Sequence, residues 1–320
     1  MCNDLKAIPQ KDPDEETEPS WRITVNPSAE LFGSPRLRQV IDRLYHQQKL
    51  LSPTDAKQVL SALQTIDPSS DLLLPLLTVI SNATAYPANQ ALMREMRITE
   101  RVVEMIFMTQ NGWSRSCRIM LLQCLANMAV CTENYTIVRR AIPYAVLCLS
   151  QNDETQVVVA LQALTNLSLT ISQEERFTEL PSMERTTFVQ WRPQISKFTP
   201  AIPHCLSRLW TRGEPNINAL RLLVNLSCCP DMVPHVLAAK SVTGLLRLLD
   251  TDREEVLLRV VTWLLCTSSA VDALNLTYDR IACHIQDPNR SPVDTLYHSI
   301  YGPQARNELE QRTQELSVPQ

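Results

Sequence analysis

Four apolar blocks in this chain carry an asparagine at one and the same place. They read Leu76-Leu77-Thr78-Val79-Ile80-Ser81-Asn82, Leu121-Leu122-Gln123-Cys124-Leu125-Ala126-Asn127-Met128, Ala160-Leu161-Gln162-Ala163-Leu164-Thr165-Asn166-Leu167-Ser168 and Ala219-Leu220-Arg221-Leu222-Leu223-Val224-Asn225-Leu226-Ser227. A fifth block, Leu257–Leu264, has Trp263 where the others have Asn. Positions 82, 127, 166, 225 and 263 stand 45, 39, 59 and 38 residues apart. Each block is apolar nearly all round, so a helix built from it must be covered on most sides. Recurrence at roughly 40–47 residues marks helical units that bury their faces by stacking on their neighbours.

Composition narrows the fold further. Only 5 of 320 residues are glycine, against an average of roughly 7%, while hydrophobic residues make up 44% and aromatics 5%. Gly-rich phosphate loops, tight hairpins and multi-strand β architectures all need residues at positive φ, so an all-α chain is expected. Residues 1–33 hold Pro and acids with little apolar surface, and are expected to form a disordered acidic tail. Helical periodicity begins at Pro35–Leu50, with Leu37, Val40, Ile41 and Leu44 on one face. Ser52-Pro53-Thr54-Asp55 reads as a helix start with Pro in the first turn, running to about Ile66. The clearest full unit is 132–168. There Thr132-Glu133-Asn134 opens a short helix through Arg140, Ile142–Ser150 forms a second and Asp153 caps a third over Glu154–Ser168. The 59-residue interval is too long for one unit. Its surplus lies in a polar, Pro-punctuated stretch, 172–199, expected to be a long inserted loop with a short helix. The repeat domain is expected over 34–316, with 317–320 as a C-terminal tail.

The LxxLxNLS-type blocks and the short, medium, long order of helices resemble armadillo repeats. A closer likeness is to the armadillo-repeat-containing X-linked proteins and their autosomal relatives, which share a domain with certain GPCR-associated sorting proteins. Leu73–Met96 resembles that domain's first repeat and Glu254–Cys266 its last. Ser291–Leu316 is similar to its closing segment, a short apolar helix, Gly and a final helix. The resemblance implies a right-handed superhelical solenoid of about five armadillo-like repeats. It also implies a non-enzymatic scaffold or adaptor, in some relatives acting in mitochondrial distribution and trafficking from an N-terminal membrane anchor. The chain departs from the family in two places. Arg139-Arg140-Ala141-Ile142-Pro143 stands where the family often has Gly between its first two helices, and the 172–199 insertion is additional.

Asn is a poor residue for a helix interior, because its side chain competes for backbone hydrogen bonds. Its recurrence therefore needs a reason, and two are open. Armadillo proteins, which this sequence resembles, place such Asn on a concave ladder that grips the main chain of an extended peptide or helix. An amide suits that task because it supplies both donor and acceptor. The ladder would be Asn82, Asn127, Asn166 and Asn225. Alternatively, each Asn bonds the backbone of the adjacent repeat. Trp263 in turn is either a stacking platform for a partner or a core residue.

Little else in the sequence carries chemistry. His46, His204, His235, His284 and His298 are scattered, and no nucleophile–base pair, paired carboxylate, Walker or G-x-G-x-x-G pattern is present. No catalytic, cofactor or metal residue is expected. The ten cysteines show no CxxC and no His at zinc spacing. Reduced, mostly buried thiols are the plain reading, and a redox or metal role is the other. A pI near 5.8 argues against nucleic acid as a partner. Basic residues are mostly Arg, suited either to solvated helix faces or to an acidic partner peptide. The N-terminus has no apolar signal region. The nearest approach to a membrane span, Val256–Leu276, carries Arg259 and Asp272 and reads as a core helix. A cytoplasmic protein is expected, with nuclear or mitochondrial-surface residence as alternatives. The rival functions are a nuclear cofactor in transcription or genome maintenance, and a self-associating structural protein.

Overall fold

The computed structural model describes residues 35–47, 50–109, 113–169, 171, 192–211, 213–285, 287 and 289–317. The expected tail at 1–33 and the greater part of the expected loop, 172–191, lie outside the described residues. The chain divides into two compact units, residues 1–141 and 142–320.

The first unit contains α1 (Pro35–Gln47), α2 (Pro53–Thr65), α3 (Leu73–Ala83), α4 (Pro87–Glu95), α5 (Ile98–Met108), α6 (Arg115–Met128) and α7 (Tyr135–Val138). The start of α2 follows from its sequence. Ser52 Oγ accepts from the Asp55 backbone N–H at 3.1 Å, the Asp55 carboxylate accepts from the Ser52 N–H at 3.3 Å, and Pro53 occupies the first turn. Arg43 pairs with that same Asp55. Leu73, Leu76, Leu77 and Ile80 of α3 and Leu121, Leu122 and Leu125 of α6 are fully buried, and α3 packs directly on α6. In turn α5 packs on α6, α4 and α2. The turn between α4 and α5 is made by Arg97 at φ 61°, a left-handed conformation that glycine usually takes.

The second unit contains α8 (Ile142–Cys148), α9 (Glu154–Ser168), α10 (Arg192–Phe198), α11 (Ala201–Ser207), α12 (Ile217–Ser227), α13 (Val233–Leu237), α14 (Glu254–Leu274), α15 (Tyr278–Ala282), α16 (Leu296–Tyr301) and α17 (Pro303–Ser317). Asp153 caps α9 as expected, accepting from the Gln156 N–H at 3.3 Å. Asn216 caps α12, accepting from the N–H groups of Asn218 and Ala219. The three long apolar helices form a run in which α9 packs on α12 and α12 on α14. Residues 192–198, within the stretch expected to be a loop with a short helix, form α10, which packs on α8.

The expectation of no hairpin is corrected at one point. Trp210–Thr211 (β1) and Glu214–Pro215 (β2) pair antiparallel across Gly213, whose φ is +85°. One glycine in the right place is enough for so short a ladder. Near the end of the chain, Gly302 separates α16 from α17. A Cβ there would lie 2.3 Å from the His298 carbonyl oxygen, so a side chain is excluded.

Candidate functional site

The recurrent Asn residues lie near the C-terminal ends of the long apolar helices, and the structure separates their roles. In the first unit, Asn127 of α6 reaches back to α3. Its Nδ2 donates to the Ser81 carbonyl at 3.1 Å and to Ser81 Oγ at 3.3 Å, while its Oδ1 accepts from Gln123 Nε2 at 3.1 Å. Asn82 is exposed, with no side-chain hydrogen bond among the described residues.

The second unit repeats this arrangement at the same register. Asn225 Nδ2, on α12, donates to the Thr165 carbonyl of α9 at 2.9 Å and to Ser168 Oγ at 3.1 Å. In both cases the acceptor is the carbonyl just before the previous Asn. Asn225 Oδ1 meets no donor among the described residues. Asn166 is half-buried on α9.

Trp263 is corrected as a stacking platform. It is 0% exposed and faces the core from α14, along with Val256, Val260, Thr267 and Ala270. A side chain with no accessible surface cannot lie against a partner. The change from Asn to Trp also removes the interhelix clamp at this step. By register, Ser227 Oγ matches Ser168 Oγ, and both Ser227 Oγ and Trp263 Nε1 are buried without a hydrogen bond among the described residues.

A second polar row lies one helical turn before the first, at Thr78, Gln123, Gln162, Arg221 and Arg259. Each is four residues ahead of a ladder position and half-buried, so it shares that position's helix face. Arg221 pairs with Glu255, while Arg259 Nε is buried without a partner among the described residues. Sequence reasoning missed this row. Its signal was present in the blocks, as Gln or Arg in four of the five.

A further Asn pair, also missed, is structural. Asn89 and Asn134 fall seven residues after Asn82 and Asn127. Asn89 Nδ2 donates to the Ala83 carbonyl at 3.0 Å, and Asn134 Nδ2 to the Met128 carbonyl at 3.1 Å. Arg94 Nη1 then donates to Asn134 Oδ1 at 3.0 Å. These amides add a second donor to the last carbonyls of α3 and α6, which also accept from the Tyr86 and Cys131 backbone N–H groups.

Two other surfaces stand out in the second unit. His235 and His284, remote in sequence, meet edge to face with ring centroids 4.4 Å apart. With Lys240, Arg290 and Thr199 they line a cleft of about 60 Å³. Burial lowers the His235 pKa, as does the neighbouring His284, against a smaller opposing effect of Asp231.

The second surface is α14, whose reading as a core helix holds for one face alone. Its opposite face exposes Leu257, Leu258, Val261 and Leu265, the last at 64%. By length and composition this 21-residue helix is able to cross a membrane, although one face packs inside the unit. Among the described residues, no three of His, Cys, Asp and Glu gather as a metal would require.

No family model matches the sequence. Solved structures with similar folds are nevertheless found. One is an engineered protein at a TM-score of 0.57 and 16% identity, covering 76% of this chain and 95% of that one. Another is a computationally designed armadillo repeat protein for modular peptide recognition, at 0.52 and 16%, covering 72% and 90%. A third is a designed armadillo repeat protein in complex with the peptide (KR)4, at 0.53 and 15%, covering 75% and 98%. At such identities the likeness bears on fold, and the fold is an all-α armadillo-like helical repeat.

Proposed function

We propose that this chain is a non-enzymatic protein-binding scaffold that holds extended peptide segments along the polar rows of its long helices. The observation that carries the reading is the repeated seam of side-chain amides and guanidinium groups on otherwise apolar, closely packed helices. Each unit has its own stretch, with Thr78, Asn82, Gln123 and Asn127 in the first and Gln162, Asn166, Arg221, Asn225 and Arg259 in the second. Amide groups at regular spacing suit a peptide main chain, which repeats one donor and one acceptor per residue. Asn82 and Asn225 Oδ1 keep capacity for a partner, whereas the Asn127 and Asn225 nitrogens hold the helices together. Support also comes from the fold neighbours, one of which is described as designed for peptide recognition and another as bound to a peptide. The likeness to the X-linked armadillo family extends the proposal to a cytoplasmic adaptor in mitochondrial distribution and trafficking.

A displayed peptide library panned on the purified protein tests this reading. Enriched peptides are expected to bind as extended segments and to lose at least tenfold in affinity to Asn82→Arg or Gln162→Arg, one variant for each unit. Failure to enrich any peptide, or affinity unchanged by both variants at an unaltered melting temperature, overturns it. Imaging of the tagged chain against mitochondrial and nuclear markers tests the cellular part.

The exposed face of α14 favours a second reading, self-association through a second copy of this helix. Four exposed aliphatic side chains on adjoining turns form an apolar stripe of the kind that marks contact surfaces. Light scattering should then show mass rising with concentration, and Leu258→Glu with Leu265→Glu should return the protein to monomer without loss of helicity. A mass independent of concentration in the unaltered protein rejects this reading.

A further inference from the structure

Cys228 and Cys266 occupy one register, three residues after Asn225 and three after Trp263. Cys228 is the residue that ends α12, and Cys266 lies in the middle of α14. Because α12 packs along α14, their sulfurs meet at 3.7 Å, a thiol–thiol hydrogen bond without a covalent link. Cys228 is exposed and Cys266 half-buried, so reagents reach the pair from solvent. The thiols of Cys117, Cys124, Cys148, Cys205 and Cys229 are buried instead. Burial pushes those of Cys124 and Cys205 up to about 12, which suppresses the reactive thiolate.

We propose that Cys228 and Cys266 form a reversible dithiol site that closes to a disulfide under a peroxide or glutathione disulfide, and so staples α12 to α14. With hydrogen peroxide, the Cys228 thiol gives up its proton and the thiolate attacks one oxygen, forming Cys228 sulfenic acid; the departing hydroxide takes up that proton as one water. The Cys266 thiol then attacks the Cys228 sulfur, forming the S–S bond and releasing a second water. With glutathione disulfide, two successive exchanges transfer the bond to the protein and release two glutathione thiols. A disulfide needs its sulfurs at about 2.05 Å, so they must close by roughly 1.7 Å. Cys228 lies at the open end of its helix, where side-chain rotation can supply that movement. The order of attack follows exposure, with the open thiol oxidised first and the half-buried one resolving it. This proposal is independent of the peptide-binding reading.

Peptide mapping of the native, full-length protein after treatment with hydrogen peroxide or glutathione disulfide tests it. Tryptic digestion without reductant should yield segment 222–240 joined to segment 260–280, at the mass of the two less two hydrogens. Dithiothreitol should separate them. The oxidised protein should melt several degrees higher than the reduced one. Cys228→Ser should abolish both the link and the shift, while Cys229→Ser should keep both. A link that survives Cys228→Ser would assign the chemistry to Cys229 and overturn the proposal. So would Cys228 and Cys266 both remaining open to alkylation in the unaltered protein, under oxidation that modifies exposed Cys283. That last measurement needs no variant to fold.

Discussion

Asn127 and Asn82 share a register and differ in what their amides touch. Asn127 makes two bonds to buried Ser81 and accepts one from Gln123, so truncation removes all three and leaves the Ser81 carbonyl with the Thr84 hydroxyl as its donor. Asn127→Ala should cost about 0.5–1.5 kcal/mol, and Asn82→Ala less than about 0.5 kcal/mol, both read from chemical denaturation. Equal costs would mean that the Asn127 clamp contributes nothing to stability. Arg97 provides a second residue-scale test. It holds φ 61° in the turn before α5 although its side chain disfavours that region. Arg97→Gly should therefore leave stability unchanged or raise it by up to about 1 kcal/mol, against the usual direction for a glycine substitution.

At the scale of elements, helix ends and caps were legible in the sequence while faces were not. Ser52, Asp153 and the segment around Gly302 mark local events, set by residues within a turn of one another, and the structure has them where the sequence puts them. The two faces of α14 depend on which neighbours exist. Trp263 was open between core and surface because periodicity says that a stripe is buried without saying which one. His235 and His284 were unremarkable in sequence, and only the packing of α13 against α15 joins them. Their meeting has a pH consequence. The folded-state pKa of His235 lies below the ordinary value of about 6.5, chiefly through burial and secondarily through His284. The unfolded chain thus takes up the proton first. The stability this group contributes is fully present above about pH 6.5 and declines as pH falls below that value. Thermal melts from pH 7.5 to 5 should show that decline, and His235→Gln should make it shallower. An identical slope in the variant would locate the pH dependence elsewhere, with His204, also lowered by burial, as the next group to test.

For the whole molecule, stacking makes stability a matter of nearest neighbours. Each long helix touches the next long helix of its own unit through bonds that repeat at one register. Damage at one step should therefore stay local. Hydrogen exchange of Asn127→Ala should quicken in α3 and α6 and leave the amides of α12 and α14 unchanged. Uniform acceleration would instead indicate a single cooperative unit. The sequence by itself determined the helical class, the repeat period, the caps and the places where Asn recurs, because each depends on spacing along the chain. Tertiary structure alone decided what those Asn residues do, which side of α14 meets water and which cysteines touch. These outcomes depend on helices 38 to 60 residues apart being brought into contact, and nothing local in the chain encodes the partner a side chain will meet.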